Sequence, residues 1–197
     1  IETDALAHNG RAVQFGNNVE VAVETGDEIW AVSRDRIPYN KNKMYRISVR
    51  IKRLAGPSSG SVYVGYTAFG ADGNPLNKDG NNSYSSQHYV TMNSVELSTS
   101  AEYTEYVGYF TGESSVATSN SGTGGSINAA KSARTGTKTF APMIIANHND
   151  EIGKVRVDWI KVEVLGGGST EIAGSQITTG LIQSADTNTY FNLSDNQ

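Results

Sequence analysis

The chain has 197 residues and no Cys, which excludes disulfide frameworks, zinc–thiolate sites and thiol nucleophiles. Its 16 basic and 20 acidic residues give a formal net charge of −4. Four of the acids follow Lys161 and no basic residue does, so residues 1–161 carry 16 charges of each sign. This balance argues against a basic nucleic-acid-binding protein. The start at Ile1, without Met or a signal pattern, indicates a fragment of a longer chain.

Short β-strands are the elements that the sequence predicts, since no stretch holds helical apolar spacing over three turns. In Lys43–Arg53, every second residue from Tyr45 to Ile51 is apolar and those between are polar, which is typical of a half-buried strand. About nine such strands, separated by turn residues, predict a β-sandwich or a barrel. The predicted strands are Arg11–Phe15, Val19–Glu24, Glu28–Ser33, Lys43–Arg53, Ser61–Gly70, Gln87–Met92, Tyr103–Thr111, Lys138–Ala146 and Lys154–Leu165.

Two segments depart from this strand pattern. In Gly112–Thr137, 21 of 26 residues are Gly, Ser, Thr, Ala or Asn. This composition offers too little apolar surface to offset the entropy of ordering, so we expect a long mobile loop. Gly166–Ser169 is typical of a flexible linker and places a boundary after Leu165. Residues 172–193 have too few apolar side chains for a core, so we expect copies of this segment to associate.

Residues from about 11 to 165 resemble the jelly-roll carbohydrate-binding modules found in glycanases and in phage tail proteins. Residues from about 172 to 193 are similar to a segment that recurs in tailed-phage fibre and tail-tip proteins. The segments that carry these resemblances are Ile37–Tyr39, Met44–Arg50, Tyr63–Tyr66, Asp72–Asn74, Tyr103–Tyr106, Phe110–Gly112, Val155–Val162, Ile177–Asp186 and Thr189–Leu193.

These resemblances imply an all-β fold, an antiparallel two-sheet jelly-roll β-sandwich over residues 1–165. They imply a linker and a fibre-type oligomerisation segment over residues 166–197. They also imply a homotrimer, because phage fibres have three-fold symmetry; composition alone would allow a dimer equally well. The implied location is the virion, in the phage tail, where the protein acts at the host cell surface beside other phage tail proteins.

Aromatic and arginine side chains are the candidate ligand-binding residues, because sugars stack on flat aromatic faces and bond to planar polar groups. The candidates are Trp30, Arg46, Arg50, Tyr63 and Tyr109. Arg46, Arg50 and Tyr63 lie opposite the apolar stripes of their strands, and neighbouring strands would bring them onto one face with Trp30 beside it. A solvent-facing sheet without a ligand gives the same pattern.

Two points about these candidates stay open in the sequence. Residues 36–71 contain seven bases and no acid, which suits an acidic polysaccharide or a lipopolysaccharide core. The alternative is that acids on adjacent strands neutralise these bases. In the strand around Tyr109 the phase is ambiguous, since either Val107 and Tyr109 or Tyr106 and Phe110 would face the core.

Asp158 is the candidate metal ligand. The resemblance implies that an acid at this place helps to hold a structural calcium near the first strand, with Glu2 and Asp4 as partners. The alternative is an Asp at a β-bulge whose carboxylate accepts hydrogen bonds from the backbone. We expect no other cofactor.

Catalytic constellations find little support in the sequence. His8, His88 and His148 are isolated from one another, without the spacing of metal ligands. We therefore predict a non-catalytic host-recognition module that binds a bacterial surface polysaccharide or lipopolysaccharide. We predict no enzyme activity, no nucleic-acid partner and no membrane insertion. The alternative is a structural spacer or decoration domain of a tail fibre with no ligand of its own.

Overall fold

The computed structural model describes residues 1–16, 29–55, 60–79, 86–148, 153–165, 181–183 and 190–192. The chain divides into two compact units, Ile1–Gly167 and Gly168–Gln197. The strand predicted at Val19–Glu24 lies outside the described residues. Within the described part of the chain, no helix is long and apolar enough to cross a membrane.

The described residues of the first unit are built from strands and one 3₁₀ turn at Ile127–Ala129. The alternating residues of the sequence therefore form the all-β fold that they predict. The strands are β1 (Glu2–Thr3), β2 (Arg11–Phe15), β3 (Ile29–Val32), β4 (Ile37–Pro38), β5 (Met44–Ala55), β6 (Ser61–Phe69), β7 (Gln87–Glu96), β8 (Thr104–Ser114), β9 (Gly122–Thr123), β10 (Lys131–Arg134), β11 (Thr139–His148) and β12 (Lys154–Leu165).

These strands form two six-stranded sheets. Sheet 1 has the order β1-β2-β12-β5-β8-β10, and sheet 2 has the order β3-β11-β6-β7-β9 with β4 also pairing β11. Neighbouring strands are antiparallel, except that β8 and β10 are parallel. The two sheets pack face to face, which confirms the two-sheet β-sandwich. The finer jelly-roll connectivity stays a prediction.

The core lies between the sheets and is rich in aromatic rings. Tyr45 of β5 and Phe110 of β8 stack with ring centroids 5.1 Å apart, and Tyr66 of β6 stacks on Phe110 at 4.2 Å. Phe140 of β11 meets Tyr45, Tyr66 and Phe110 edge-on. Such offset and edge-to-face pairs are the arrangements that aromatic rings prefer, so these four strands hold the two sheets together.

The structure resolves the phase of β8. Phe110 is fully buried in the core and Tyr106 packs against it, so Tyr109 lies on the opposite, outward side of the strand. The register agrees, because Tyr109 pairs with the outward-facing Arg46 of β5. Tyr109 is therefore available at the surface of sheet 1.

The segment 112–137 differs from the loop that its composition predicts. It continues β8, adds β9 to the edge of sheet 2 and adds β10 to the edge of sheet 1. Its small residues explain this placement, because they let the backbone approach the sheets closely. A Cβ on Gly124 would lie 2.5 Å from the Val90 carbonyl oxygen and 2.7 Å from the Val107 carbonyl oxygen. Ala133 of β10 is also fully buried.

The second unit, Gly168–Gln197, contains two described strands, β13 (Leu181–Gln183) and β14 (Tyr190–Asn192). They pair antiparallel, with Ile182 opposite Phe191. Most of the segment 172–193, on which self-association was predicted, lies outside the described residues.

Candidate functional site

The outward-facing residues of β8, β5 and β12 form the surface that carries three of the five sequence candidates. We call this surface the outer face of sheet 1. Arg46 pairs in register with Tyr109 of β8, and Arg50 pairs in register with Trp159 of β12. The residues of this face used below are Arg46, Arg50, Glu105, Tyr109, Trp159, Lys161 and Glu163.

Arg46 sits between two carboxylates. Its guanidinium lies 2.9 Å from Glu105 on β8 and 3.2 Å from Glu163 on β12, and Lys161 lies 2.7 Å from the other oxygen of Glu163. The hydrogen bond from Lys161 is the main reason why the pKa of Glu163 lies below its usual value of 4.5. Acids on adjacent strands thus pair with Arg46, as in the second alternative that the sequence left open.

Tyr63 does not join this face, which corrects the prediction of one surface bearing Arg46, Arg50 and Tyr63. Tyr63 lies on β6 of sheet 2, where its ring centroid is 4.7 Å from that of Tyr89 and 4.9 Å from that of His148. The reason is topological, because consecutive strands β5 and β6 belong to different sheets and their outward faces point apart. Trp30 shares sheet 2 with Tyr63, since both pair in register with residue 145 of β11.

Tyr109 borders a cleft of about 350 Å³ at one corner of the outer face of sheet 1. The other wall comes from the segment that the sequence analysis treated as a loop. The residues that line this Tyr109 cleft are all uncharged: Tyr109, Asn120, Thr123, Gly124, Gly125, Ser126 and Ala129. The lining thus combines an aromatic residue with residues that offer hydroxyl, amide and backbone groups, around a space large enough for a small polar ligand.

Hydrogen bonds to β7 fix the far wall of the Tyr109 cleft. The backbone N–H of Asn120 donates to the Tyr89 carbonyl at 2.8 Å, and its side-chain Nδ2 donates to the Val90 carbonyl. The backbone N–H of Gly124 donates to the Thr91 carbonyl at 2.7 Å. The wall is therefore tied to sheet 2, whereas Tyr109 belongs to sheet 1, so the cleft lies where the two sheets meet.

Asp4, which directly follows β1, is the centre of a buried charge network. Its carboxylate lies 2.8 Å from Lys52 and 2.9 Å from Arg156, and the Tyr103 hydroxyl donates to it at 3.0 Å. Burial alone would raise the pKa of Asp4, but these bonds and one from the Leu6 backbone N–H hold it well below the usual value of 3.8. Asp4 is therefore ionised, and its carboxylate oxygens already have hydrogen-bonding or ion-pair partners within the chain.

Asp158 lies at a β-bulge of β12, where the register with β5 shifts between Val157 and Trp159. Both carboxylate oxygens accept from the His8 backbone N–H, at 2.9 and 3.0 Å, and one oxygen also pairs with Arg50. Its side chain is only 2% exposed. This geometry is that of the hydrogen-bonded alternative.

The described residues supply no group of ligands that could hold a calcium ion together with Asp158. Among the described residues, no group of three or more His, Cys, Asp or Glu side chains could hold a metal ion, and Glu2 and Asp4 do not form such a group with Asp158. Asp4 and Asp158 instead engage separate cationic side chains. The structural calcium stays a prediction.

Trp159 is the residue that the sequence candidates missed. Strict alternation along β12 would place it on the inward side with Val155 and Val157, but the bulge at Asp158 turns it to the outer face. It borders a cleft of about 470 Å³, the Trp159 cleft, lined by His8, Asn9, Asp158, Trp159, Ile160 and Lys161. Only a recognised bulge in the sequence would have revealed this position.

The three histidines occupy separate environments. His88 is fully buried and stacks on Tyr66 at 4.8 Å, and burial is the main cause that lowers its pKa to about 4. His148 lies on sheet 2 beside Tyr63, and the backbone of His8 bonds to Asp158. Among the described residues, none of these contacts brings two of the histidines together.

Comparisons of the chain with protein-family models, with curated proteins and with solved structures found no match.

Proposed function

We propose that residues 1–165 form a non-catalytic module that binds a bacterial cell-surface glycan. In this proposal, which keeps the sequence resemblance, the module belongs to a phage tail protein and acts at the host cell surface. The observation that carries the glycan part is the Tyr109 cleft. Its aromatic ring and its uncharged polar wall are the two kinds of group that a sugar requires.

The charge pattern favours an uncharged glycan over an acidic one. None of the residues lining the Tyr109 cleft carries a charge, and the adjacent Arg46 is already paired with Glu105 and Glu163. An anionic ligand would have to compete with these carboxylates for Arg46. A neutral sugar instead finds a donor in Arg46 and acceptors in Glu105 and Glu163, because its hydroxyls can bond to either partner of an ion pair.

A glycan array printed with bacterial polysaccharides and lipopolysaccharides tests the proposal. We expect the intact protein to bind at least one neutral polysaccharide, and Tyr109→Ala to weaken that binding about tenfold, because a stacked ring is lost. The matched control is Tyr63→Ala, which removes a surface tyrosine from sheet 2 and should leave binding unchanged. Failure of every printed glycan to bind, or full binding by Tyr109→Ala, would refute the proposal.

A structural spacer or decoration domain is the second candidate function, and one observation favours it. Arg46, Arg50, Lys52 and Arg156 all pair with acids of the chain itself, as expected for a sheet face that only stabilises the domain. If no glycan binds, this function is preferred. Deletion of the domain from the full tail protein should then change fibre length or stiffness without changing adsorption to a defined host strain.

We also propose that the protein is a homotrimer that associates through residues 166–197 and contacts other phage tail proteins. This part rests on the sequence resemblance and on the apolar residues of β13 and β14, Leu181, Ile182 and Phe191. Light scattering of the whole chain should give a trimeric mass, and deletion of residues 166–197 should give a monomer. A monomeric whole chain at high concentration would refute it.

A further inference from the structure

Trp159 combines an accessible aromatic ring with hydrogen-bonding groups on a second wall. The N-terminal residues His8 and Asn9 face it across the Trp159 cleft, and Lys161 lies two residues further along β12. Trp159 also borders an apolar opening of about 370 Å³ between the sheets, lined among others by Val13. Trp159 therefore borders open space on two sides.

The position of the Trp159 cleft is fixed by an ion pair. Arg50 bonds to the Leu6 carbonyl at 3.1 Å and pairs with Asp158, while Asp158 accepts from the His8 backbone N–H. These bonds hold the N-terminal wall against β12 next to Trp159. Asp158 and Arg50 are thus positioning residues for this cleft, because their polar groups are used within the chain.

The two clefts lie on one surface, at opposite ends of a diagonal. Trp159 pairs with Arg50, Tyr109 pairs with Arg46, and the two arginines are four residues apart on β5. Two strand spacings of about 4.8 Å and four residues of about 3.3 Å each place Trp159 about 16 Å from Tyr109. Glu105 pairs in register with Arg50, so the ion pair between Arg46 and Glu105 crosses this diagonal between the two clefts.

We infer that the Trp159 cleft is a second subsite for the same glycan, so that the ligand is an extended, uncharged oligosaccharide crossing β8, β5 and β12. This inference rests on the proposed function. One sugar occupies the Tyr109 cleft and another stacks on Trp159. The hydroxyls of the sugars between them bond to the ion pair of Arg46 and Glu105. Binding at the second subsite is intramolecular once the first is filled, so affinity rises with chain length until both clefts are occupied.

Titration calorimetry with oligosaccharides of increasing length tests the inference. The probes are size-fractionated fragments of the polysaccharide that the array identifies, from single sugars to hexasaccharides. For the unaltered protein, we expect the affinity to rise at least about tenfold once fragments span both clefts. Trp159→Ala should remove this gain and leave the affinity for the shortest binding fragment within about twofold.

Two further variants test whether the loss of affinity in Trp159→Ala comes from misfolding. Trp159→Phe retains a ring and should keep most of the gain with length. Val164→Ala changes a 49%-exposed residue on the same strand and should keep all of it. If the melting temperature of Trp159→Ala falls well below that of the unaltered protein, Trp159→Phe and Asn9→Ala provide the test, because Asn9 lines the opposite wall.

The outcomes separate the inference from the proposed function. Affinity that does not rise with length, or that Trp159→Ala leaves unchanged for the long fragments, overturns the second subsite while Tyr109-dependent binding stands. Equal losses for short and long fragments in Trp159→Ala would make Trp159 the principal site and overturn the spanning arrangement. A negative glycan array overturns both.

Discussion

The two outward faces of the sandwich carry different kinds of side chain, although both come from strands with the same alternating pattern. On sheet 1, Arg46 and Arg50 are paired with carboxylates of neighbouring strands. On sheet 2, the rings of Tyr63, Tyr89 and His148 cluster. The difference teaches that alternation tells which residues face outward, whereas the strand that lies alongside decides what an outward residue does.

Charged residues on sheet 1 also differ among themselves in burial. Asp4 and its partner Lys52 have side chains only 6% and 4% exposed, whereas those of Arg46, Glu105 and Glu163 are 30%, 43% and 28% exposed. An ion pair near water contributes little to stability, whereas a buried charge that loses its partner is costly. The following predictions test this contrast, from the largest expected effect to the smallest.

Asp4→Ala should lower the free energy of unfolding by about 3 kcal/mol, because it leaves the ammonium of Lys52 buried without its counter-charge. Urea denaturation followed by tryptophan fluorescence measures this loss. The control is Asp35→Ala, which removes an exposed acid and should change stability by less than about 0.5 kcal/mol. Equal stability of the two variants would show that the Asp4 network contributes nothing beyond a surface charge.

The same carboxylate predicts a dependence on pH. The folded-state pKa of Asp4 is held below its unfolded value, so its contribution is complete above about pH 4 and is lost as the pH falls toward the folded pKa. Burial lowers the pKa of His88 from 6.5 to about 4, so His88 makes the protein less stable as the pH falls between these two values. Below pH 4, Asp4→Ala should therefore lose less stability with falling pH than the unaltered protein. Parallel curves in that range would contradict this assignment.

Gly124→Ala should destabilise the domain by about 2 kcal/mol, since the new Cβ would meet the Val90 and Val107 carbonyl oxygens, which belong to backbone. It should also abolish Tyr109-dependent glycan binding, because Gly124 lines that cleft. Thermal unfolding and the glycan array measure the two effects. Asn128→Ala, at an exposed site in the same segment, is the control. A Gly124→Ala protein of normal stability would mean that the segment moves away from the sheets at little cost.

Arg46→Ala should cost less than about 1 kcal/mol, because its two ion pairs are partly exposed to solvent. A double-mutant cycle with Glu105→Ala measures the pair directly and should give a coupling of about 0.5 kcal/mol that shrinks in high salt. A coupling above about 2 kcal/mol would place this pair in the same class as Asp4 with Lys52. The contrast between the two kinds of charge would then disappear.

The sequence predicted the sandwich well because its signal is local. The inward stripe of β5 from Tyr45 to Ile51 needs only period-two spacing, and all four apolar residues of the stripe are buried as predicted. The placement of the candidate residues was predicted less well because it depends on which distant strands lie side by side. Nothing local to Tyr63 tells that β5 and β6 enter different sheets, and nothing local to Trp159 marks the bulge at Asp158.

The loop predicted at residues 112–137 left out two short strands, β9 and β10, for a related reason. Its composition indicates little apolar burial of its own, but the pleated surfaces of two existing sheets accept short strands of small residues. Phe110 occupies the core, so Tyr109 faces outward, a point that the ambiguous phase of the strand had left open. Its neighbours in the cleft were missed because they were assigned to a loop.

Addition of a chelator should have the smallest effect of all. The Asp158 carboxylate is held by Arg50 and by the His8 backbone N–H, so a calcium ion would have to displace a guanidinium to reach it. We expect excess chelator to change the melting temperature by less than about 1 °C, whereas Asp158→Ala lowers it, because Arg50 loses its partner and the N-terminal wall is released. Melting curves of both proteins with and without chelator decide the matter. A fall of several degrees on chelation that Asp158→Ala abolishes would establish the calcium site, and Arg50 would then have to adopt a different pairing when the metal is bound.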